Sequence, residues 1–409
     1  MNFLDKFVAP LSSQHIILLH FMLILIFSMF ITFIGLITGG SFFSFYFNRK
    51  GKKENNDYYI RFAKEIIEIT TINKSMGVVL GLLTLLTSIL IFVQLLSPNG
   101  AISILFLSIS FLVLFAGLIL TYNKHTNRYG FIFLIISIWI FLSGIAFPTY
   151  ANIFSLNDNI ISVMVSRIII FKFITVLLLA GAFTGSTILF IYFYWNGGRK
   201  NLPDEYSAFI KKFAIRLTFS SIIILPLFIF MDLVIMPNDI LSVPVFVYSS
   251  LALAVIFLIY HFLYVMSRVK DSNYSIYIFV SAILIIILLV IKDQVTFANA
   301  TELGTIEMSS KYTANMEKLT GADKAPQISG EDIYKNICSS CHSFDHKVVG
   351  PPYKQTLPKY KGNVDKLVAF ILHPTQNNPG YPPMPNPGLK PDEARAVATY
   401  ILKEVKKYE

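Results

Sequence analysis

The chain has 409 residues, 55% of them hydrophobic and only 14% charged, against about 25% charged in a soluble domain. That composition excludes an ordinary soluble protein and a disordered one, and apolar runs of about twenty residues exclude an outer-membrane barrel, whose strands alternate. The formal net charge of +10 sits mostly in alternate connections between those runs, so it reads as a topology signal and not as a nucleic-acid footprint.

In chain order, the apolar runs predict an eight-span helical bundle at roughly 15–38, 75–96, 101–121, 131–148, 168–195, 214–236, 243–267 and 274–296. The first run begins near His15, is as long as a full span and lacks a basic n-region, which predicts a retained helix and no cleavable leader. Every second connection is basic. Arg49, Lys50, Lys52, Lys53, Arg61, Lys64 and Lys74 follow the first span, and Lys124 and Arg128 the third. Arg199, Lys200, Lys211, Lys212 and Arg216 follow the fifth, and Arg268 and Lys270 the seventh. The connections between these hold Ser97-Pro98-Asn99-Gly100, Asp158 and Asp239. Positive charge marks the cytoplasmic side, so both termini are expected on the periplasmic side of the cytoplasmic (inner) membrane. Gly77-xxx-Gly81 in the second span, and Gly181-xxx-Gly185 with Ala182-xxx-Ser186 in the fifth, predict faces where helices approach closely.

The apolar runs stop near residue 297, which bounds a transmembrane domain at 1–297. Residues 298–327, rich in Thr, Ser, Ala, Lys and Glu and ending near Ala325-Pro326, predict a linker. Residues 328–409 predict a soluble domain, and both cysteines of the chain lie in it, within Cys338-Ser339-Ser340-Cys341-His342. C-x-x-C-H is the pattern for c-type haem attachment. Two thiols at this spacing reach the two vinyl groups of one haem, and the adjacent imidazole ligates the iron from the same side. A thioredoxin-like pair needs no following histidine, and a zinc site needs a fourth ligand near by.

The sequence around the motif resembles a class I cytochrome c domain over about residues 328–409. Gly330-Glu331-Asp332-Ile333-Tyr334-Lys335-Asn336-Ile337 is similar to the family's N-terminal helix. Val349-Gly350-Pro351-Pro352-Tyr353 resembles its Gly-Pro-Pro segment, and Pro382-Pro383-Met384-Pro385 its distal methionine loop. Pro391-Asp392-Glu393-Ala394-Arg395-Ala396-Val397-Ala398-Thr399-Tyr400-Ile401-Leu402 resembles the C-terminal helix that crosses the first. The resemblance implies one covalent haem c, His342 as proximal ligand, Met384 as distal ligand, and attachment outside the cytoplasm. Ligand chemistry points the same way. Met384 is the one methionine after the motif, and a thioether opposite an imidazole raises the haem potential. His373, before Pro374, is the rival distal ligand, and His346 is too close to His342 to reach the far face. Lys347, Lys354, Lys359 and Lys361 form a candidate basic rim for an acidic redox partner, a solvated surface being the plainer alternative.

Ionisable residues inside spans are functional candidates by default. His20, Arg167, Lys172, Asp232, Lys292 and Asp293 all fall within about 10 Å of the outer surface at 1.5 Å per residue. They define a candidate quinol site in which His20 or Asp232 accepts a proton and Lys172 is a hydrogen-bonding partner. The alternative is structural, with snorkelling lysines and an Asp232–Lys172 pair. His20 and His261 differ in depth by roughly 15 Å, which disfavours a bis-histidine haem b. Eight spans followed by a cytochrome tail is also a layout similar to the bacterial membrane-bound urate oxidase with a C-terminal cytochrome. Ile34-Gly35 and Phe42-Phe43-Ser44-Phe45-Tyr46-Phe47 resemble its first helix.

The expected protein is therefore all-α, an eight-span transmembrane bundle followed by a class I cytochrome c domain. It is expected to carry electrons in a respiratory chain, from a quinol or a membrane partner to an extracytoplasmic acceptor. Two alternatives are an oxidoreductase whose bundle itself oxidises quinol or a small substrate, and a passive anchor for the cytochrome. The expected partners are the lipid bilayer, a redox protein or respiratory complex, and quinol, with no nucleic acid.

Overall fold

The computed structural model describes residues 10–71, 73–96, 100–123, 127–150, 164–195, 198, 202–269, 273–320, 329–361, 363–375 and 380–408. Lys124, Asp158, Arg199, Lys200, Lys270 and Ser97-Pro98-Asn99, all used above to read topology, lie outside the described residues. The chain divides into two compact units, Met1–Tyr312 and Thr313–Glu409.

In the first unit α1 runs Ser13–Glu54, α2 Asp57–Thr70, α3 Lys74–Leu95, α4 Ala101–Tyr122, α5 Asn127–Thr149, α6 Arg167–Phe193, α7 Asp204–Ile235 and α8 Val243–Val269, and α9, Tyr274–Thr320, begins in it and ends past Tyr312. Among the described residues, all of these except α2 are long and apolar enough to cross a membrane, eight helices in all. Their outward side chains are large and apolar, with Phe21, Val243 and Phe257 each at least 66% exposed. An apolar rind of this extent suits lipid as solvent and not water. The protein is a multi-pass membrane protein.

Small residues bring the helices together. An added Cβ at Gly39 of α1 would collide with Thr184 of α6, and one at Gly185 of α6 would collide with Thr218 of α7. The small-residue stripe on the fifth span thus serves packing inside one bundle, against α7 on one side and α1 on the other. Ser110 of α4 and Ser137 of α5 exchange hydrogen bonds of 2.9–3.1 Å through their hydroxyls and carbonyls.

Three boundaries differ from the sequence reading. The basic stretch after the first span is not a loop. α1 continues through it to Glu54, Asn55 turns the chain with a φ of 49°, and Asn56 caps α2 through Tyr58 and Tyr59. α2 is amphipathic and buries Phe62, Ala63, Ile66 and Ile67 around an aromatic cluster centred on Phe47. α7 starts at Asp204, so Lys211, Lys212 and Arg216 lie on a helix. Residues 298–320, read as linker, continue α9. They hold no proline and carry an i,i+4 pair, Glu307–Lys311 at 2.7 Å, of the kind that supports a solvated helix.

The second unit is all-α among its described residues. α10 (Gly330–Ile333) passes into a π-helical turn, Tyr334–Cys338, and α11 (Tyr353–Thr356), α12 (Val364–Leu372) and α13 (Pro391–Glu404) follow. Ala394, Val397, Ala398 and Ile401 fall on one face of α13 and are all buried, against Leu367, Val368 and Ile371 of α12. α10 crosses α13 so closely that a Cβ on Gly330 would strike the Ala396 carbonyl.

Candidate haem site

The site begins in the turn that ends the first helix of the C-terminal unit. Ser329 caps α10 at Asp332 N–H. The π-helical turn closes with Ser339 N–H donating to Tyr334 C=O at 2.8 Å. Cys341 and His342 N–H then both donate to Cys338 C=O, at 3.2 and 2.9 Å. This winding sets Cys338, Cys341 and His342 on one cavity, of about 430 Å³. The next segment folds back on the turn, with Val349 and Gly350 N–H both donating to Cys341 C=O at 3.2 and 2.8 Å.

That fold-back fixes the histidine. His342 Nδ1 lies 3.0 Å from the Pro351 carbonyl oxygen. A carbonyl only accepts, so Nδ1 carries the proton and the Nε2 lone pair is left for a metal. The ring stacks on Tyr353, centroids 5.0 Å apart and planes 10° apart. Gly350 also lies against the ring and leaves no room for a Cβ, which would collide with the imidazole. Three consecutive features of Gly350-Pro351-Pro352-Tyr353 therefore hold one side chain. Burial pushes the Cys338 thiol above its usual pKa, against a hydrogen bond with Tyr353 that acts the other way. Burial likewise holds the Tyr353 hydroxyl well above its usual value.

Met384 lines the same cavity, half-buried in a loop where three neighbouring prolines remove backbone donors. Asn386 fastens the loop by donating to Leu372 C=O at 3.0 Å and accepting from Gly388 N–H at 2.9 Å. Gly388 has a φ of 68°, which favours glycine. The Lys347 ammonium sits 4.7 Å above the Tyr381 ring at the same rim. His373 is exposed and does not line the cavity, and His346 is exposed and paired with Asp345 at 2.7 Å. The remaining lining is largely apolar, with Leu357, Leu367, Ile371 and Ile401, and includes the polar side chains of Gln355, Thr356, Lys359 and Thr375. Two thiols, an oriented imidazole and a thioether on one largely apolar cavity fit a c-type haem.

Residues 328–404 match the cytochrome c family. Over 77 residues, 18% of this chain and 94% of the relative, the chain is 38% identical to cytochrome c-551 of Azotobacter vinelandii. The chain belongs to the cytochrome c family. Cytochrome c-551 of Allochromatium vinosum is 38% identical over 72 residues, 17% of this chain and 77% of the relative. That of Pseudomonas aeruginosa is 35% identical over 78 residues, 18% and 75%. No solved structure matches the chain. These likenesses are confined to the C-terminal domain, and the layout similarity to membrane urate oxidase gains no support from them.

In the membrane domain of this cytochrome four of the six predicted ionisable residues meet. Lys172 of α6 lies 2.9 Å from Asp293 and 3.3 Å from Asp232. Lys292 of α9 bridges the same two carboxylates, pairing with Asp232 of α7 and, at 2.9 Å, with Asp293. The expected Asp232–Lys172 pair is therefore half of a quartet. His20 stands outside it, with Nδ1 2.7 Å from Gln294 Nε2 and the ring 5.5 Å from that of Phe297. His261 is exposed on the outside of α8. A second polar cluster escaped the sequence reading. Glu65 of α2 accepts hydrogen bonds from Tyr192 at 2.5 Å and Tyr206 at 3.0 Å, and pairs with Arg61 at 2.9 Å. Its signal was the amphipathic period of residues 57–70, hidden because a basic stretch beside a span reads as a loop.

Proposed function

We propose that the protein is a membrane-bound monohaem c-type cytochrome that carries electrons in a respiratory chain at the periplasmic face of the inner membrane. The observation that carries this reading is the orientation of His342, whose Nδ1–H is committed to Pro351 on a cavity that also holds Cys338, Cys341 and Met384. When bound, haem c supplies a one-electron iron couple. Cys338 and Cys341 would hold it by thioether bonds, His342 Nε2 would be its proximal ligand, and Met384 its distal one. A thioether opposite an imidazole raises the potential and leaves no open coordination position, which favours electron transfer over substrate binding. Lys347, Lys354, Lys359 and Lys361 supply positive charge to steer an acidic electron acceptor.

The alternation of basic connections supports placing both termini outside the cytoplasm. The electron donor in this reading is a quinol or a membrane partner protein at the outer leaflet. A second reading, a bundle that itself oxidises quinol, is favoured by the ion-paired quartet of Lys172, Asp232, Lys292 and Asp293, of which all but Asp293 are largely buried. A passive anchor would need one span and not eight.

A pyridine haemochrome assay and a redox titration of the full-length protein test the proposal. One haem c per chain is expected. Met384→Ala should lower the potential by on the order of 100 mV, a fraction of the about 0.8 V that axial ligands span, with membrane insertion intact. An unchanged potential and spectrum would remove Met384 as the ligand.

A further inference from the structure

The quartet forms one wall of a second cavity, about 80 Å³, within the membrane domain. The rest of the lining is mainly apolar, aliphatic in large part with four phenylalanines among it. Phe27 and Phe141 meet edge to face at 5.4 Å, and Phe92 and Phe297 stack at 5.3 Å. Tyr150, at the end of α5, also lines this space. It is only 1% exposed, and its hydroxyl has no hydrogen-bond partner among the described residues. A buried hydroxyl without a partner is unfavourable, so the position calls for a ligand that supplies one.

The walls also say what kind of ligand. Two lysines and two aspartates cancel, so neither an anion nor a cation gains from the net charge. Thr149, Thr175 and Thr296 also line the space, but each donates its hydroxyl to a carbonyl of its own helix, so the side-chain donors that remain are the Tyr150 hydroxyl and the Gln294 amide, the latter tied to His20. Each can both donate and accept. They suit a neutral ring whose oxygens accept hydrogen bonds when oxidised and donate them when reduced. We propose that this cavity binds the head group of a para-quinone and its quinol, with Tyr150 as the hydrogen-bonding partner of one ring oxygen. His20 is then a positioning residue that acts through Gln294. The inference rests on reading the chain as a membrane electron carrier and names the class of small molecule that its bundle recognises. A cavity of about 150 Å³ holds benzene, so seating a ring requires the mouth to widen. Asp293, with 45% of its side chain exposed, is the quartet member with room to swing.

The test is equilibrium binding of two probes, a decyl-tailed benzoquinone and a short-tailed naphthoquinone, to the full-length haem-loaded protein in lipid nanodiscs. Empty nanodiscs give the background. Saturable one-site binding of at least one probe is expected, weakened about five- to tenfold in Tyr150→Phe, the cost of one hydrogen bond. Tyr150→Phe keeps the ring and its packing, so the fold is retained. Tyr206→Phe, in the separate Glu65 cluster, should bind as the wild type does. No saturable binding, or wild-type affinity in Tyr150→Phe, overturns the site and leaves a cavity for water alone. The haem spectrum and potential of the same samples separate the two readings. An aberrant haem with intact quinone binding counts against the electron carrier and leaves the site standing.

Discussion

The two domains each place polar side chains on a largely apolar cavity, and they do so over opposite lengths of chain. In the cytochrome domain the thiols, the imidazole and the carbonyl that orients it come from one short stretch, Cys338 to Pro351, and backbone hydrogen bonds of 2.8–3.2 Å build the turn. In the membrane domain the partners are 60, 121 and 274 residues apart along the chain. There no turn builds the site, and it exists only where α1, α6, α7 and α9 have packed. A locally wound site is thus insulated from distant changes, whereas a site made by helix packing both depends on the bundle and stabilises it.

The largest effect is expected where the membrane quartet loses one charge. Asp232 has a side chain only 10% exposed and pairs with both lysines. Asp232→Ala leaves Lys172 and Lys292 to share Asp293, and breaking a buried pair from one side costs about 3–5 kcal/mol. Thermal unfolding in detergent should show a marked loss in Asp232→Ala. It should be partly recovered in the double variant Asp232→Ala, Lys292→Met, which restores the balance of charge. A single variant as stable as the wild type would mean that the quartet is wetted and contributes little.

A smaller effect is expected from the local site. In Gly350→Ala the new methyl must displace the His342 ring or the backbone beside it. Overpacking of this kind costs about 1–3 kcal/mol. The sharper readout is spectroscopic, because the imidazole moves while the thiols stay in place. The haem should remain covalently attached with an altered potential, and the membrane domain should melt as before. If the potential is unchanged, the ring is not held by the glycine contact.

The same contrast explains what the amino-acid order reveals. The C-x-x-C-H motif is legible because its chemistry is local, and the spans are legible because twenty apolar residues have few other uses. The depth of Lys172 and Asp232 could be counted along the helix, which brought them to the same level. Their joint pairing with Lys292 and Asp293 required knowing which helix faces meet. Tyr150 was invisible, since a tyrosine at a helix end gives no sign that its hydroxyl lacks a partner among the described residues. The helical extension over 298–320 was missed for another reason. Its Thr, Ser and Glu side chains suit a linker, and only the absence of proline until Pro326 argued otherwise.

The smallest expected effect comes from a shorter ion pair in the other solvent. Glu331 and Lys335 of the cytochrome domain lie 2.7 Å apart, against 3.3 Å between Lys172 and Asp232, whose side chains are only 14% and 10% exposed. Glu331 and Lys335 are both at least half exposed, so water competes for each charge and salt screens what is left. The lysine holds the Glu331 carboxyl below its usual pKa, so any stability the pair gives is present at neutral pH. That stability is lost as the pH falls through the lowered value. Glu331→Gln should therefore leave the melting temperature of the full-length protein unchanged within error at pH 7, in low and in high salt. A clear loss at pH 7 that vanishes in high salt would show that distance and not burial governs these pairs, and the contrast drawn between the two domains would fail.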